Sequence, residues 1–227
     1  MKPASPTVLL FDCDNTLLDN DRIRADLRAQ LALQLGDAVG DRYWACLEEL
    51  RAELGYVDYL GALQRLRLGA RHDTRLLQMA AFLLDYPFAE RLYPGALAAL
   101  AHCRSFGPTV ILSDGDVVFQ PRKLQRSGLW DAVEGRVLIY IHKEQMLEEM
   151  QQLYPASHYV MVDDKLRILT AMKRILGERL TTVFPRQGHY ALDAAVLAAH
   201  PPADLTVERI GELLHHDFST VPTRAHA

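Results

Sequence analysis

Thr7-Val8-Leu9-Leu10-Phe11-Asp12-Cys13-Asp14-Asn15-Thr16 is the stretch on which the reading of the whole chain turns. The run from Thr7 to Phe11 is β-rich and has no polar alternation, the pattern of a short strand buried on both faces. It leads directly into two carboxylates two positions apart. Like charges that close raise each other's proton affinity, and a buried charge needs a partner. Two acids where a buried strand runs out therefore point to something positive between them, a divalent cation or a charge developing on a substrate.

The surrounding chain has 227 residues, 49% apolar and 24% charged, enough for one substantial core or a core with an insertion. A net charge of −4 argues against bulk electrostatic binding to nucleic acid or an anionic membrane, so no nucleic-acid and no membrane partner is expected. An anionic substrate would need a local positive site. Cys13, Cys46 and Cys103 are odd in number and widely spaced, which fits neither a disulfide framework nor a zinc site. Met1-Lys2-Pro3 leads into the first strand without a signal pattern, and no apolar run is long enough to span a bilayer. A cytoplasmic location is the expectation.

From about Asp21 to Tyr86 the periodicity becomes helical. Ile23, Leu27, Leu31 and Leu35 recur on one face, then Leu47, Leu50 and Leu54, then Leu60, Leu63 and Leu66, then Leu76, Leu77, Ala80 and Leu83. Gly36, Gly55 and Gly69 punctuate these runs as C-caps. Beyond Tyr93-Pro94-Gly95, strands and helices alternate. A helix is predicted over 96–103, a strand over 109–112, a helix near 122–127, a strand over 137–141 and a helix over 144–153. Next come a strand over 158–162, a helix over 166–176, a strand over 181–184 and a helix over 191–199. An edge strand over 204–206 and a last helix over 207–214 complete the pattern. Alternation of this kind implies an α/β fold, a Rossmann-like doubly wound parallel sheet, with the helical block inserted after the first strand. The expected division is 1–19 and 90–218 for the α/β core, 20–89 for a helical cap and 219–227 for a disordered tail.

Four short segments follow four predicted strands: Asp12-Cys13-Asp14-Asn15-Thr16, Ser113-Asp114-Gly115-Asp116, His142-Lys143 and Asp163-Asp164-Lys165. Ligands of open parallel sheets bind outside the carboxyl ends of the strands, where all four fall. A carboxylate there can act as a nucleophile, and a second can give and take the leaving-group proton. Mg²⁺ favours one or two carboxylates together with phosphate and water. A lysine neutralises phosphate charge and a serine hydroxyl orients it.

With these residues in order, the chain resembles the haloacid dehalogenase-like hydrolase superfamily over nearly its whole length. Asp12, Asp14 and Thr16 match the first motif, Asp-x-Asp-x-Thr, and Ser113 matches the second. Lys143, twenty residues before Asp163, matches the third, and Asp163-Asp164 the fourth. The helical block resembles the C1-type cap inserted between the first two motifs. The resemblance implies Asp12 as nucleophile and Asp14 as general acid and base. It implies Mg²⁺ held by Asp12, the Asp14 backbone carbonyl, and Asp163 or Asp164. Ser113 and Lys143 would bind the phosphoryl group, with Thr16 and Asp114 beside the substrate. Superfamily dehalogenases lack an acid at the Asp14 position, so the phosphatase branch is implied, with a small phosphorylated metabolite as substrate. Four positions depart from the pattern, one of them Val162 where glycine is common. Arg167 stands where a second acid is common, Glu144 where proline is common, and Asp114 adds a negative charge next to Ser113.

Other readings stay open from the residues alone. A phosphomutase uses the same motifs. A phospho-accepting signalling module also gathers acids and a lysine at strand ends, although such modules are about half this size and carry no insertion after the first strand. A binding protein that kept the fold is a third. Cys13 reads as a buried strand residue, His142 as a strand-end packing residue, and His102, His189, His215 and His216 as surface or tail residues. Arg122, Lys123 and Arg126 read as a solvated basic face near the second motif.

Overall fold

β1 (Ser5–Phe11) lies at the centre of a six-stranded sheet. In the computed structural model, which describes residues 5–67 and 73–219, every ladder is parallel and the strand order is β3-β2-β1-β4-β5-β6. Its neighbours are β2 (Thr109–Asp114) and β4 (Ala156–Val162), with Leu9 in register with Thr109 on one side and Val160 on the other. β3 (Val137–Tyr140) extends one edge, and β5 (Leu180–Pro185) and β6 (Leu205–Val207) extend the other. Val8 through Phe11 are all buried, as a strand covered on both faces requires.

Four helices form the block inserted after β1: α1 (Asn20–Leu35), α2 (Asp37–Leu54), α3 (Tyr59–Arg67) and α4 (Arg75–Asp85). Asp19 caps α1 by accepting from the Arg22 amide at 2.9 Å. The buried face of α1 is Ile23, Leu27, Leu31 and Leu35, as the spacing predicts. Two of the predicted apolar positions point outward, Leu54 at the end of α2 and Leu77 in α4; Met79 takes the inward place on α4. Gly69 and the tail beyond Ser219 lie outside the described residues.

Seven further α-helices follow among the described residues. They are α5 (Ala96–Cys103), α6 (Phe119–Ser127), α7 (Leu129–Ala132), α8 (Leu147–Leu153), α9 (Leu166–Leu176), α10 (Gly188–Leu192) and α11 (Ala194–Ala198). Two expectations fail. The helix predicted over 191–199 is broken at Asp193, whose carboxylate accepts from the Ala195 and Val196 amides and starts α11 anew. The helix predicted over 207–214 is replaced by the end of β6 and a 3₁₀ turn over Ile210–His215. There the Ile210 amide is held by the Gln187 side chain at 2.6 Å. No helix among the described residues is long and apolar enough to cross a membrane.

Candidate active site

The four segments meet at the carboxyl edge of β1, β2, β3 and β4. The ladder continues one step past each strand: the Asp12 amide donates to the Val162 carbonyl at 2.9 Å, and the Asp163 amide to the Val183 carbonyl at 3.1 Å. Asp12 and Asp163 thereby start from fixed backbone positions side by side. The Lys143 ammonium lies 2.5 Å from Asp12 Oδ1, 2.7 Å from Asp163 Oδ2 and 3.2 Å from the Leu112 carbonyl oxygen. All three side chains are almost fully buried. Burial opposes the charged form of Lys143, but Asp12, Asp163 and Asp114 outweigh it and hold the ammonium above its ordinary range.

Asp12, Asp163 and Asp164 each offer a carboxylate oxygen within 4.8 Å of the others. Both oxygens of Asp164 are buried without a hydrogen-bond partner among the described residues. Burial drives the pKa of Asp163 and Asp164 upward, against the pull of Lys143 and Lys165. Orphaned carboxylate oxygens converging from two strand ends are a poor protein interior but a good hard-cation site. The donor set therefore fits Mg²⁺.

Thr16 is fully buried beside Asp12. Its hydroxyl donates toward Asp12 Oδ2 at 3.4 Å and accepts from the Asp164 amide at 3.0 Å, joining the first and fourth segments. Ser113 is buried, and its hydroxyl accepts from Gln120 Nε2 at 2.9 Å. Asp114 turns one oxygen onto the Lys143 amide at 2.8 Å, anchoring the third segment. Burial raises its pKa, with Lys143 opposing. Two other departures from the family pattern pair with each other: Arg167 meets Glu144 at 2.7 Å.

Asp14 stands apart from the carboxylates of Asp12, Asp163 and Asp164 and faces a cavity of about 370 Å³ beneath α1, α2 and α3. Lys123 grips both of its oxygens, at 2.6 and 2.9 Å. The reading of Lys123 as part of a solvated face is thus corrected: its side chain is 1% exposed. The signal was present in the sequence, because Lys123 follows Phe119 by four residues and precedes Leu124 and Ser127 on the buried face of α6. Arg122 and Arg126 do sit at the surface, where both meet Asp85 at the end of α4. His189, read as a surface residue, is exposed but also lines the cavity, with Nδ1 2.6 Å from Asp21 Oδ1. Cys13 is buried, and burial pushes its thiol pKa up, which favours the neutral thiol.

Asn15 shapes the loop. It adopts φ +61°, in the left-handed region that asparagine tolerates, and its Oδ1 accepts from the Asn20 and Asp21 amides. Gly188, at φ +71°, lies against it so closely that a Cβ there would stand 2.5 Å from Asn15 Cβ. Gly188→Ala is expected to cost about 1–3 kcal/mol of stability and to lower turnover by displacing Asn15 and with it Asp14. Denaturant unfolding beside an activity assay checks this; a variant as stable and active as the wild type would contradict the packing.

A family model for haloacid dehalogenase-like hydrolases matches residues 6–175. A haloacid dehalogenase-like hydrolase from Burkholderia xenovorans LB400 shares 68% identity over 94% of this chain and 99% of its own, with a TM-score of 0.89. More distant solved structures share the fold. L-2-haloacid dehalogenase from Xanthobacter autotrophicus is 20% identical at TM-score 0.59, covering 92% of this chain and 96% of that one. The magnesium-bound HAD-hydrolase YfnB from Bacillus subtilis is 16% identical at TM-score 0.58, covering 93% and 98%. Among curated proteins no match was found. The family model spans most of the chain and the Burkholderia protein matches nearly all of it, so this protein belongs to the haloacid dehalogenase-like hydrolase family.

Proposed function

We propose that this protein is a Mg²⁺-dependent phosphatase acting on a small phosphorylated metabolite, with α1 to α4 serving as its cap. The observation that carries the reading is the pair of acids in the first segment with separated environments. Asp12 sits in the lysine-bound carboxylate cluster, while Asp14 faces the cavity, 26% exposed at its side chain. That division suits a nucleophile and a proton-transfer group.

Asp12 Oδ1 is fixed by Lys143, so the carboxylate is oriented before substrate arrives. It would attack phosphorus in line and form an aspartyl-phosphate, and Asp14 would protonate the departing oxygen, then activate the water that hydrolyses the intermediate. Lys123 aims Asp14 from α6 and also reaches Asn20 Oδ1 at the start of α1, 3.4 Å away. Ser113 and Lys143 lie where they can receive the transferring group, with Gln120 fixing the serine rotamer. Asp12, Asp163 and Asp164 would hold Mg²⁺, which when bound offsets the charge between an anionic nucleophile and an anionic phosphate. The cap walls the cavity and would exclude bulk water during the first step.

Phosphate release from an aryl phosphate and a panel of small phosphate esters, with Mg²⁺ and with EDTA, is the direct test. Mg²⁺-dependent release abolished by EDTA is the expected result. Intramolecular phosphate migration without release would assign the mutase reaction, and release unaffected by EDTA would overturn the metal assignment.

A further inference from the structure

The cap-side wall of the cavity carries charge that the reaction at Asp12 does not use. Arg24 on α1 and Arg51 on α2 both line it, opposite Asp114 and Lys165 on the core side. The two guanidinium groups share a single carboxylate, Glu48, at 3.8 and 3.7 Å. Both separations exceed hydrogen-bond distance, and Glu48 is itself half-exposed. What orients the arginines is neutral. Arg24 stacks over the Trp44 ring at 5.2 Å from its centroid, and Arg51 donates to the Tyr190 hydroxyl at 3.1 Å.

Two planar cations are thus aimed mainly by neutral aromatic partners and share one loosely held carboxylate, on the wall of a cavity that Asp14 also lines. Closing such a wall over a neutral leaving group would trap two guanidiniums with one loosely held carboxylate, an unfavourable state in a site shielded from water. An oxyanion on the ligand would resolve it, since guanidinium binds carboxylate and phosphate through paired charge-assisted hydrogen bonds. We infer that Arg24 and Arg51 form a second-anion subsite, and that the substrates of this enzyme are phosphate monoesters bearing a second oxyanion, a carboxylate or another phosphate, remote from the transferring group. This rests on the phosphatase reading for the direction in which the ligand lies, but binding at the subsite is measurable without turnover.

The experiment compares ethyl, propyl and phenyl phosphate with counterparts carrying a terminal carboxylate or a second phosphate. Affinity is measured by calorimetry on Asp12→Asn with Mg²⁺ present, and turnover is measured separately on the wild type. The expected result is that at least one charged counterpart binds about tenfold or more tightly than its neutral partner, a gap of the size one charge-assisted contact supplies. Arg24→Met and Arg51→Met should each shrink that ratio. Glu48→Gln should enlarge it by removing the competing carboxylate, an effect opposite in sign to any loss through misfolding. Carboxylate and bisphosphate arms distinguish the two sources of the anion. Equal binding of charged and neutral partners, or a gap that survives both arginine substitutions, would overturn the subsite. Absence of turnover with the binding gap intact would instead overturn the phosphatase reading and leave the subsite standing.

Discussion

Asp12→Asn is expected to lower turnover by at least roughly 10⁴-fold, the scale on which a covalent nucleophile acts. An amide has no anionic oxygen to attack phosphorus, and its geometry differs little from that of the carboxylate, so the change isolates chemistry from shape. The fold should persist. Lys143 keeps Asp163 at 2.7 Å, and the substitution removes one of three crowded acids. The measurement is steady-state phosphate release beside a thermal melt. Activity within tenfold of wild type, with an unchanged melt, would place the nucleophile elsewhere and dismantle the mechanism.

Lys143→Met has the second large effect, and it falls on stability as well as rate. The lysine is the cation shared by Asp12 and Asp163. Removing one partner of a buried ion pair leaves uncompensated charge and costs about 3–5 kcal/mol. For a chain of this size that corresponds to a fall in Tm of roughly 6–20 °C. Added Mg²⁺ should restore part of the loss, because it supplies positive charge to the same carboxylates, and the recovery should exceed any Mg²⁺ effect on the wild type. Differential scanning calorimetry with and without Mg²⁺ reads both quantities. A variant as stable as wild type in EDTA would mean that the acids are compensated by other groups.

Much of this site is legible in the sequence because parallel α/β sheets put ligand chemistry at strand ends, and strand ends are visible as apolar runs stopping at polar residues. Asp12, Ser113, Lys143 and Asp163 are each found that way. What the pattern hides is side-chain direction. Arg122, Lys123 and Arg126 look alike as a basic helical stretch, yet the helix phase buries only Lys123 against Asp14. Thr16 sits within a catalytic motif but serves as a strut between Asp12 and the Asp164 amide. Arg167 and Glu144 look like two separate departures from the family pattern, and only the fold reveals them as one ion pair. The broken helix at Asp193 is a local contest between two caps, which periodicity does not register.

The central place of β1 has a consequence for how the chain comes into being. Leu9 pairs with Thr109 and Val160, so the strand has no partner until about 100 further residues exist. At about 5–20 residues per second, synthesis leaves this apolar strand unpaired for roughly 5–20 s. The intervening helices depend on local contacts and can form first, while both ladders of β1 must wait for long-range closure. Asp12 at its end therefore acquires its lysine and its fellow acids late in folding, and a truncated chain ending before β4 would carry Asp12 without a site.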